Sequence, residues 1–305
     1  MQLLYKIFFL DLDSKSLFRR GLIRVINLWI PIYYKATSWL KGNRLNKDFS
    51  SKNNLTIVSL TTFPSRIEKV WLTIESILRQ AEQPDKILLW LYKGEFDGLQ
   101  SLPENLLKLQ TRGLQICFCD ENLKPHKKYF YTLKNFPEAT LITIDDDVIY
   151  PPDLIAKLKS FYKKYPQSII CTVTRKIEIS ENQVSQYNDW KYEKSNSKPS
   201  FLNLIVGVGG TLYPPNSLHD EVLNLENLKK IALTADDLWL KVMSLKKMTK
   251  VVSIAGEYPG FFIPILFKDK YKLADENVNK GANNLIFKKL FDFYNIDLKI
   301  FKNID

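Results

Sequence analysis

The sequence predicts an α/β domain built on a mostly parallel sheet with helices on both faces. Three observations carry that expectation. From residue 55 onward, short apolar runs of strand length alternate with segments of helical period. Ile87–Tyr92 (ILLWLY) is continuously apolar, as a parallel strand covered on both faces requires. The 305 residues, 45% hydrophobic and 25% charged, suffice for one large domain with appendages and exclude a disordered or collagen-like chain.

The elements follow in order. Leu55–Leu60 (LTIVSL) reads as a strand, ended by the loop Thr61-Thr62-Phe63-Pro64-Ser65. Val70, Ile74, Ile77 and Leu78 fall on one face of a helix. Ile87–Tyr92 is the second strand, and Leu106 and Leu109 suggest a helix after Pro103. Leu114–Phe118 is a strand, residues 127–135 a helix, and Thr140–Ile144 (TLITI) a strand. A helix over residues 153–165 and a strand over residues 168–173 complete the alternation. In open sheets of this kind, ligands bind beyond the carboxyl ends of strands. The positions to inspect therefore follow Leu60, Phe118, Ile144 and Val173.

Charge is unevenly placed. Lys+Arg 44 against Asp+Glu 33 gives +11, which points to a polyanionic partner such as nucleic acid, an acidic membrane or a phosphorylated substrate. Residues 1–50 hold nine basic and three acidic side chains, so they carry about half of the surplus. There the charges are interleaved with Tyr5, Phe8, Phe18, Trp29, Tyr33, Tyr34 and Trp39. A basic, aromatic helix of this composition suits a headgroup layer; equally, its aromatics can pack on the domain or a partner chain. Both readings stand at this point. No secretory signal is visible, and the longest uncharged run within residues 1–50, Val25–Tyr34, is too short for a span of ~20 residues. The expected organisation is an N-terminal helical extension, residues 1–50, a polar linker over residues 43–54, and the α/β domain over residues 55–300.

Three cysteines without a CxxC exclude a zinc ribbon and fit a reducing cytoplasm. The only histidines are His126 and His219, and HExxH is absent. His126 is expected to be structural or polar-surface rather than a ligand.

The triplet Asp145-Asp146-Asp147 follows TLITI directly. Three adjacent carboxylates repel one another, and burial worsens this. A cation at that edge would relieve it, and an all-oxygen donor set suits Mg²⁺ or Mn²⁺. Alternation along extended backbone points Asp145 and Asp147 one way and Asp146 the other. The competing reading is a solvated acidic turn before a helix that Asp153 could cap.

The strand followed by DDDVIYPPDL resembles the DxD motif of GT-A-fold glycosyltransferases, which use nucleotide-sugar donors. SLTTFPSRI at Ser59–Ile67 and QPDKILLWL at Gln83–Leu91 resemble the opening of bacterial family-2-like sugar transferases. KPHKKYF (residues 124–130), GVGGTLYPP (residues 207–215) and ADDLWL (residues 235–240) are similar to the same group. The resemblance covers about residues 55–295.

It implies a set of roles. Thr61 and Thr62 meet the base and ribose of the nucleotide, and Arg66 pairs with phosphate, unless Arg66 only partners Glu68. Asp120 contacts the base or caps a helix. Lys127 and Lys128 approach the diphosphate, unless they are a solvated doublet. Asp145 and Asp147 hold the metal, with Asp146 counted among the donor-binding residues. The glycines of 207–210, Gly209 and Gly210 in particular, line the acceptor side of the pocket, or merely form a turn. They are no dinucleotide fingerprint, because Leu212 stands where the last glycine belongs. Asp237, with Asp236 second, is the general base; the competing role for the pair is complementing a helix dipole.

The implied function is transfer of one sugar from a nucleotide-diphosphate sugar to a saccharide or lipid-linked acceptor. Inversion is expected, in bacterial surface-polysaccharide synthesis at the cytoplasmic face of the cell membrane. The Gln-x-x-Arg-Trp segment of processive synthases is absent, which argues for single additions. No histidine follows His219, so Asn283, Asn284 or water is expected to complete the metal shell. Two rivals remain: a metal-dependent nucleic-acid-processing enzyme and a non-catalytic membrane-associated scaffold. Against nucleic acid as a partner, no RNP segment, helix-turn-helix or zinc finger is present.

Overall fold

Two helices precede the first strand in the computed structural model, which describes residues 2–10, 16–38, 45, 54–181, 183–259, 262–267 and 281–301. These are α1 (Gln2–Leu10) and α2 (Leu17–Thr37). The Ser16 side chain accepts from the Arg19 N–H and so caps α2. The proposed linker lies, apart from Leu45 and Asn54, outside the described residues.

The alternating body then runs β1 (Thr56–Thr61), α3 (Val70–Leu78), β2 (Lys86–Tyr92), α4 (Glu104–Leu107), β3 (Leu114–Cys119), α5 (Lys127–Asn135) and β4 (Thr140–Thr143). The helix expected after Pro103 is only one turn long. It tightens to a 3₁₀ segment that ends at Gly113, whose φ of 114° few other residues tolerate. Next come β5 (Val148–Ile149), α6 (Leu154–Lys164) and β6 (Ile169–Cys171). The short strands β7 (Thr174–Lys176), β8 (Ile179–Ser180), β9 (Gln183–Val184), β10 (Lys191–Tyr192) and β11 (Asn203–Ile205) follow. The chain closes with β12 (Thr211–Tyr213), α7 (Leu225–Ile231), α8 (Asp236–Lys246), β13 (Val251–Ser253), β14 (Ile263–Pro264) and α9 (Ala282–Phe293).

Seven strands form one sheet in the order β13-β6-β12-β4-β1-β2-β3. Every pairing is parallel except those of β12, which runs antiparallel to both β4 and β6. The expected α/β class, a mostly parallel sheet in the Rossmann-like GT-A manner, is the one observed. From β1 the chain moves outward through β2 to β3, then returns to β4 on the other side of β1. Connections leaving β1 and β4 therefore diverge. That opens a crevice at their carboxyl ends, where Thr62 and the aspartate triplet lie.

The N-terminal helices are seated on this body. Tyr5, Phe8, Ile26, Ile30 and Tyr34 are buried in the same apolar cluster as Ile74, Ile77 and Leu78 of α3. Each such side chain is worth roughly 1.5–3 kcal/mol when fully buried. Arg79, at the end of α3, donates to the Tyr34 carbonyl at 3.2 Å and to Thr37 Oγ1 at 2.8 Å. Of the two readings of the basic aromatic arm, packing on the domain thus accounts for one face of α2.

Candidate active site

The triplet begins two residues after β4, beside the end of β1. Its middle member turns inward, as the alternation predicts. Asp146 is buried and accepts from Thr62 Oγ1 and from an Arg66 Nη1 donor, both at 2.5 Å. The Asp146 carbonyl accepts from Thr73 Oγ1 of α3 at 3.0 Å. Asp145 and Asp147 keep their side chains about 31% exposed toward the crevice. Arg66 Nη1 reaches Asp147 as well, at 3.0 Å, and its guanidinium lies over the rings of Phe63 and Phe267. Arg66 is therefore no partner of Glu68; it holds two of the three carboxylates. Burial, reinforced by Asp146 and opposed by Arg66, pushes the Asp147 carboxyl up to about 7.

Lys128 ties this edge to a second pair of acids. The side chain lies in the first turn of α5, almost wholly buried. Its Nζ is 2.8 Å from Asp145 Oδ1 and 2.9 Å from Asp236 Oδ2. Burial alone would discharge it, but Asp145, Asp236 and Asp237 together hold its pKa well above the usual lysine value. Asp236 and Asp237 open α8, yet neither caps it through its side chain. Asp237 instead accepts from the Gly207 N–H at 3.1 Å. The pair diverges in basicity. Burial raises both, but Lys128 outweighs it at Asp236 and draws that carboxyl below its ordinary value. Burial and the neighbouring Asp236 leave Asp237 well above its own. The two adjacent carboxylates are thus driven apart in proton affinity.

Two buried groups position α8. Lys241 Nζ donates to the Phe201 and Asn203 carbonyls at 2.5 and 2.9 Å, pinning the helix to β11 just before Gly207. Burial pushes its pKa down to about 7. His126 is wholly buried; Nε2 faces the Ala232 carbonyl at 2.8 Å and Nδ1 faces the Tyr129 hydroxyl at 2.7 Å. A carbonyl only accepts, so Nε2 carries the proton and Tyr129 donates to Nδ1. Burial lowers this histidine to about 4 and keeps it neutral. Its role is structural, as expected.

The glycine segment is used differently from the expectation. A Cβ on Gly209 would stand 2.0 Å from Thr172 Oγ1, so that glycine answers to packing under the strand. Gly210 has a φ of +93° and faces Leu154 and Ile144. The residue at the polar cluster is Gly207, where a Cβ would lie 3.0 Å from Lys128 Nζ and 3.1 Å from Asp237 Oδ1. Gly207→Ala is expected to lower turnover about tenfold, because neither neighbour moves without loosening its bonds. Steady-state turnover beside a thermal melt checks this, the melting temperature staying near wild type.

Other expected residues fall outside the cluster. The Thr61 hydroxyl is taken up by the Trp90 carbonyl at 2.8 Å. Lys127 turns toward Asn122 and Glu95. Asp120 caps no helix; it is exposed, paired with Lys93 at 2.6 Å, and lines a separate open cavity of about 380 Å³ with Phe130 and Tyr131. Asn284 Oδ1 accepts from the Tyr187 N–H at 2.7 Å, and Asn283 is buried, bonded to the Tyr187 side chain. Both asparagines thus serve Tyr187. Tyr150 had no expected role, yet its hydroxyl accepts from the Asp145 N–H at 3.0 Å and donates to the Val208 carbonyl at 2.9 Å. That bridge sets the triplet against the glycine segment.

Among the described residues, no group of three or more His, Cys, Asp or Glu side chains is arranged to hold a metal ion. Asp145 and Asp147 fit a looser site. Mg²⁺ is commonly bound through one or two carboxylates, with substrate phosphates and water completing its shell. Burial first, then the neighbouring Asp146 and Asp145, raises the Asp147 carboxyl, and a cation held there would favour its ionised form.

Comparison with known proteins gives partial structural likenesses and a family. The chain resembles three solved structures in part. S. aureus TarS 1–349 is 14% identical, with 67% of this chain and 58% of that one covered and a TM-score of 0.41. The same protein in complex with UDP-GlcNAc gives 12%, 72%, 60% and 0.44. Francisella tularensis 2-C-methyl-D-erythritol 4-phosphate cytidylyltransferase gives 14%, 74%, 99% and 0.44. The chain thus spans less than two thirds of the TarS fragment. No curated protein matches it in sequence. The family model described as glycosyl transferase family 2 matches residues 61–213, half of the chain, from the end of β1 through the triplet and the glycine segment to β12. The protein belongs to glycosyl transferase family 2.

Proposed function

We propose that this protein moves a single sugar from a nucleotide-diphosphate sugar to a hydroxyl of a saccharide or lipid-linked saccharide. The transfer inverts the anomeric carbon and belongs to bacterial surface-polysaccharide synthesis at the inner face of the cell membrane. In this reading, residues 55–300 carry the catalysis and residues 1–50 form an extension. The observation behind it is the reach of Lys128. One buried ammonium binds both Asp145 of the triplet and Asp236 beside Asp237. A donor-phosphate edge and a basic carboxylate therefore share one small polar cluster, as a displacement between donor and acceptor requires.

Asp237 is the base in this reading. It takes the proton of the acceptor hydroxyl as that oxygen attacks the anomeric carbon. The bond from that carbon to the diphosphate breaks, and its electron pair leaves on the phosphate oxygen. Asp236, held ionised by Lys128, stays an anion and raises the proton affinity of Asp237, which acts in its ionised form. Arg66 and Thr62 fix Asp146, which orients the two outer carboxylates. Asp145 and Asp147 would hold Mg²⁺ or Mn²⁺, which supplies neutralising charge for the diphosphate leaving group.

Calorimetry of nucleoside diphosphates, with Mn²⁺ or with chelator, tests the donor half. Binding is expected with the metal and to fall by about a hundredfold or more in Asp147→Asn. Equal affinity with chelator, or an unaffected variant, would remove Asp147 from the donor site.

A further inference from the structure

The helix α2 has two apolar faces, and among the described residues only one is buried on the domain. Ile26, Ile30 and Tyr34 are buried on the domain, together with Arg19, which lies over the Phe8 ring. On the opposite side Leu17, Phe18, Val25, Leu28, Trp29 and Ile32 are exposed, Leu17 at 82%, Leu28 at 74% and Ile32 at 68%. At helical spacing these six form a continuous stripe along the helix. Arg20, Arg24 and Lys35 are exposed along one border of it, and α2 contains no acidic residue. An apolar stripe edged only by cations complements an anionic headgroup layer. A second copy of the same stripe would bring those cations against one another.

The stripe is also joined to the active site. Asn27, on its flank, donates to the Pro264 carbonyl and accepts from the Leu266 N–H, both near 2.9 Å. Leu266 is itself an exposed apolar residue. One residue earlier the Ile265 N–H donates to the Asp147 carbonyl at 2.7 Å, and one residue later Phe267 lies against the Arg66 guanidinium. The strand lip that holds the triplet is thus bolted to the helix.

We propose that the outer face of α2, residues Leu17, Phe18, Val25, Leu28, Trp29 and Ile32 with Arg20, Arg24 and Lys35, docks the enzyme on an anionic lipid bilayer. The docked helix sets the mouth of the site beside the headgroups. This deepens the membrane-face part of the reading above, and it is tested without reference to catalysis.

The test is flotation of the full chain with vesicles of phosphatidylcholine, with and without phosphatidylglycerol. Wild type is expected to float with the phosphatidylglycerol vesicles and less as salt rises. The triple variant Leu28→Ser, Trp29→Ser, Ile32→Ser is expected to lose about tenfold or more of its partitioning. Arg20→Gln and Arg24→Gln each lose about fivefold on anionic vesicles only. Thermal melts verify that the variants stay folded, since all the altered residues are exposed. Failure of wild type to float, or flotation untouched by the triple variant, overturns the proposal. So does a dimer in sedimentation that the triple variant dissolves, which would make the stripe a contact between copies. Nucleoside diphosphate release with a soluble acceptor separates the two ideas: it survives in the triple variant if docking and chemistry are distinct.

Discussion

Asp237→Asn is expected to cut sugar transfer by about 10²–10⁴-fold while leaving the fold and donor binding nearly intact. The amide keeps the shape and still accepts from the Gly207 N–H through its oxygen, so the glycine segment has no reason to move. What it loses is the ability to take a proton. The pH dependence adds a signature that a structural role lacks. Burial and Asp236 hold the Asp237 carboxyl well above the ordinary carboxylate range, and the base must be ionised to act. The wild-type rate should therefore rise along an acid limb displaced upward from that range, and the residual rate of the variant should lack the limb. Steady-state turnover across pH checks both. Asp236→Asn should behave differently, because Asp236 pairs with Lys128 and is drawn below its usual value.

Lys128→Met carries the second large effect, on stability as well as rate. The lysine is buried and is the cation shared by Asp145 and Asp236. Its removal leaves buried carboxylates uncompensated, which costs about 3–5 kcal/mol when one partner of a buried ion pair is lost. A fall in melting temperature of roughly 10 °C is the expected size. Neutralising the acids by lowering the pH should narrow the gap between variant and wild type. Transfer should also drop, since the same ammonium sets the donor edge and the acid pair in register. Thermal melts at several pH values, beside turnover at one, separate the two effects.

Much of this was legible in the sequence because local periodicity decided it. The run at Leu55–Leu60 became β1 with a shift of one residue, and residues 127–135 became α5. The burial of Asp146 agrees with the alternation read from the strand, although β4 ends at Thr143 and Thr62 and Arg66 hold the residue in the turn beyond it. What failed to read was what tertiary placement decides. Nothing distinguishes Lys127 from Lys128 in a chain reading KK, yet one faces Glu95 and the other the acid cluster. Thr61 and Thr62 differ likewise, since one hydroxyl is taken by the neighbouring strand and the other by Asp146. Within Gly207-Val208-Gly209-Gly210 the polar cluster selects Gly207 and packing selects Gly209. The antiparallel course of β12 leaves no mark on a three-residue strand. Nor does composition reveal that α2 divides its apolar residues between two opposite faces.

One measurement tests sugar transfer by this site most directly. The protein is incubated with a panel of nucleotide sugars and candidate acceptors, with Mn²⁺, Mg²⁺ or chelator, and released nucleoside diphosphate is quantified beside Asp147→Asn and Asp237→Asn. The expected result is metal-dependent release from one donor, abolished or nearly so in both variants. Release that persists in Asp237→Asn, or no release from any donor together with no metal-promoted nucleotide binding, would contradict it.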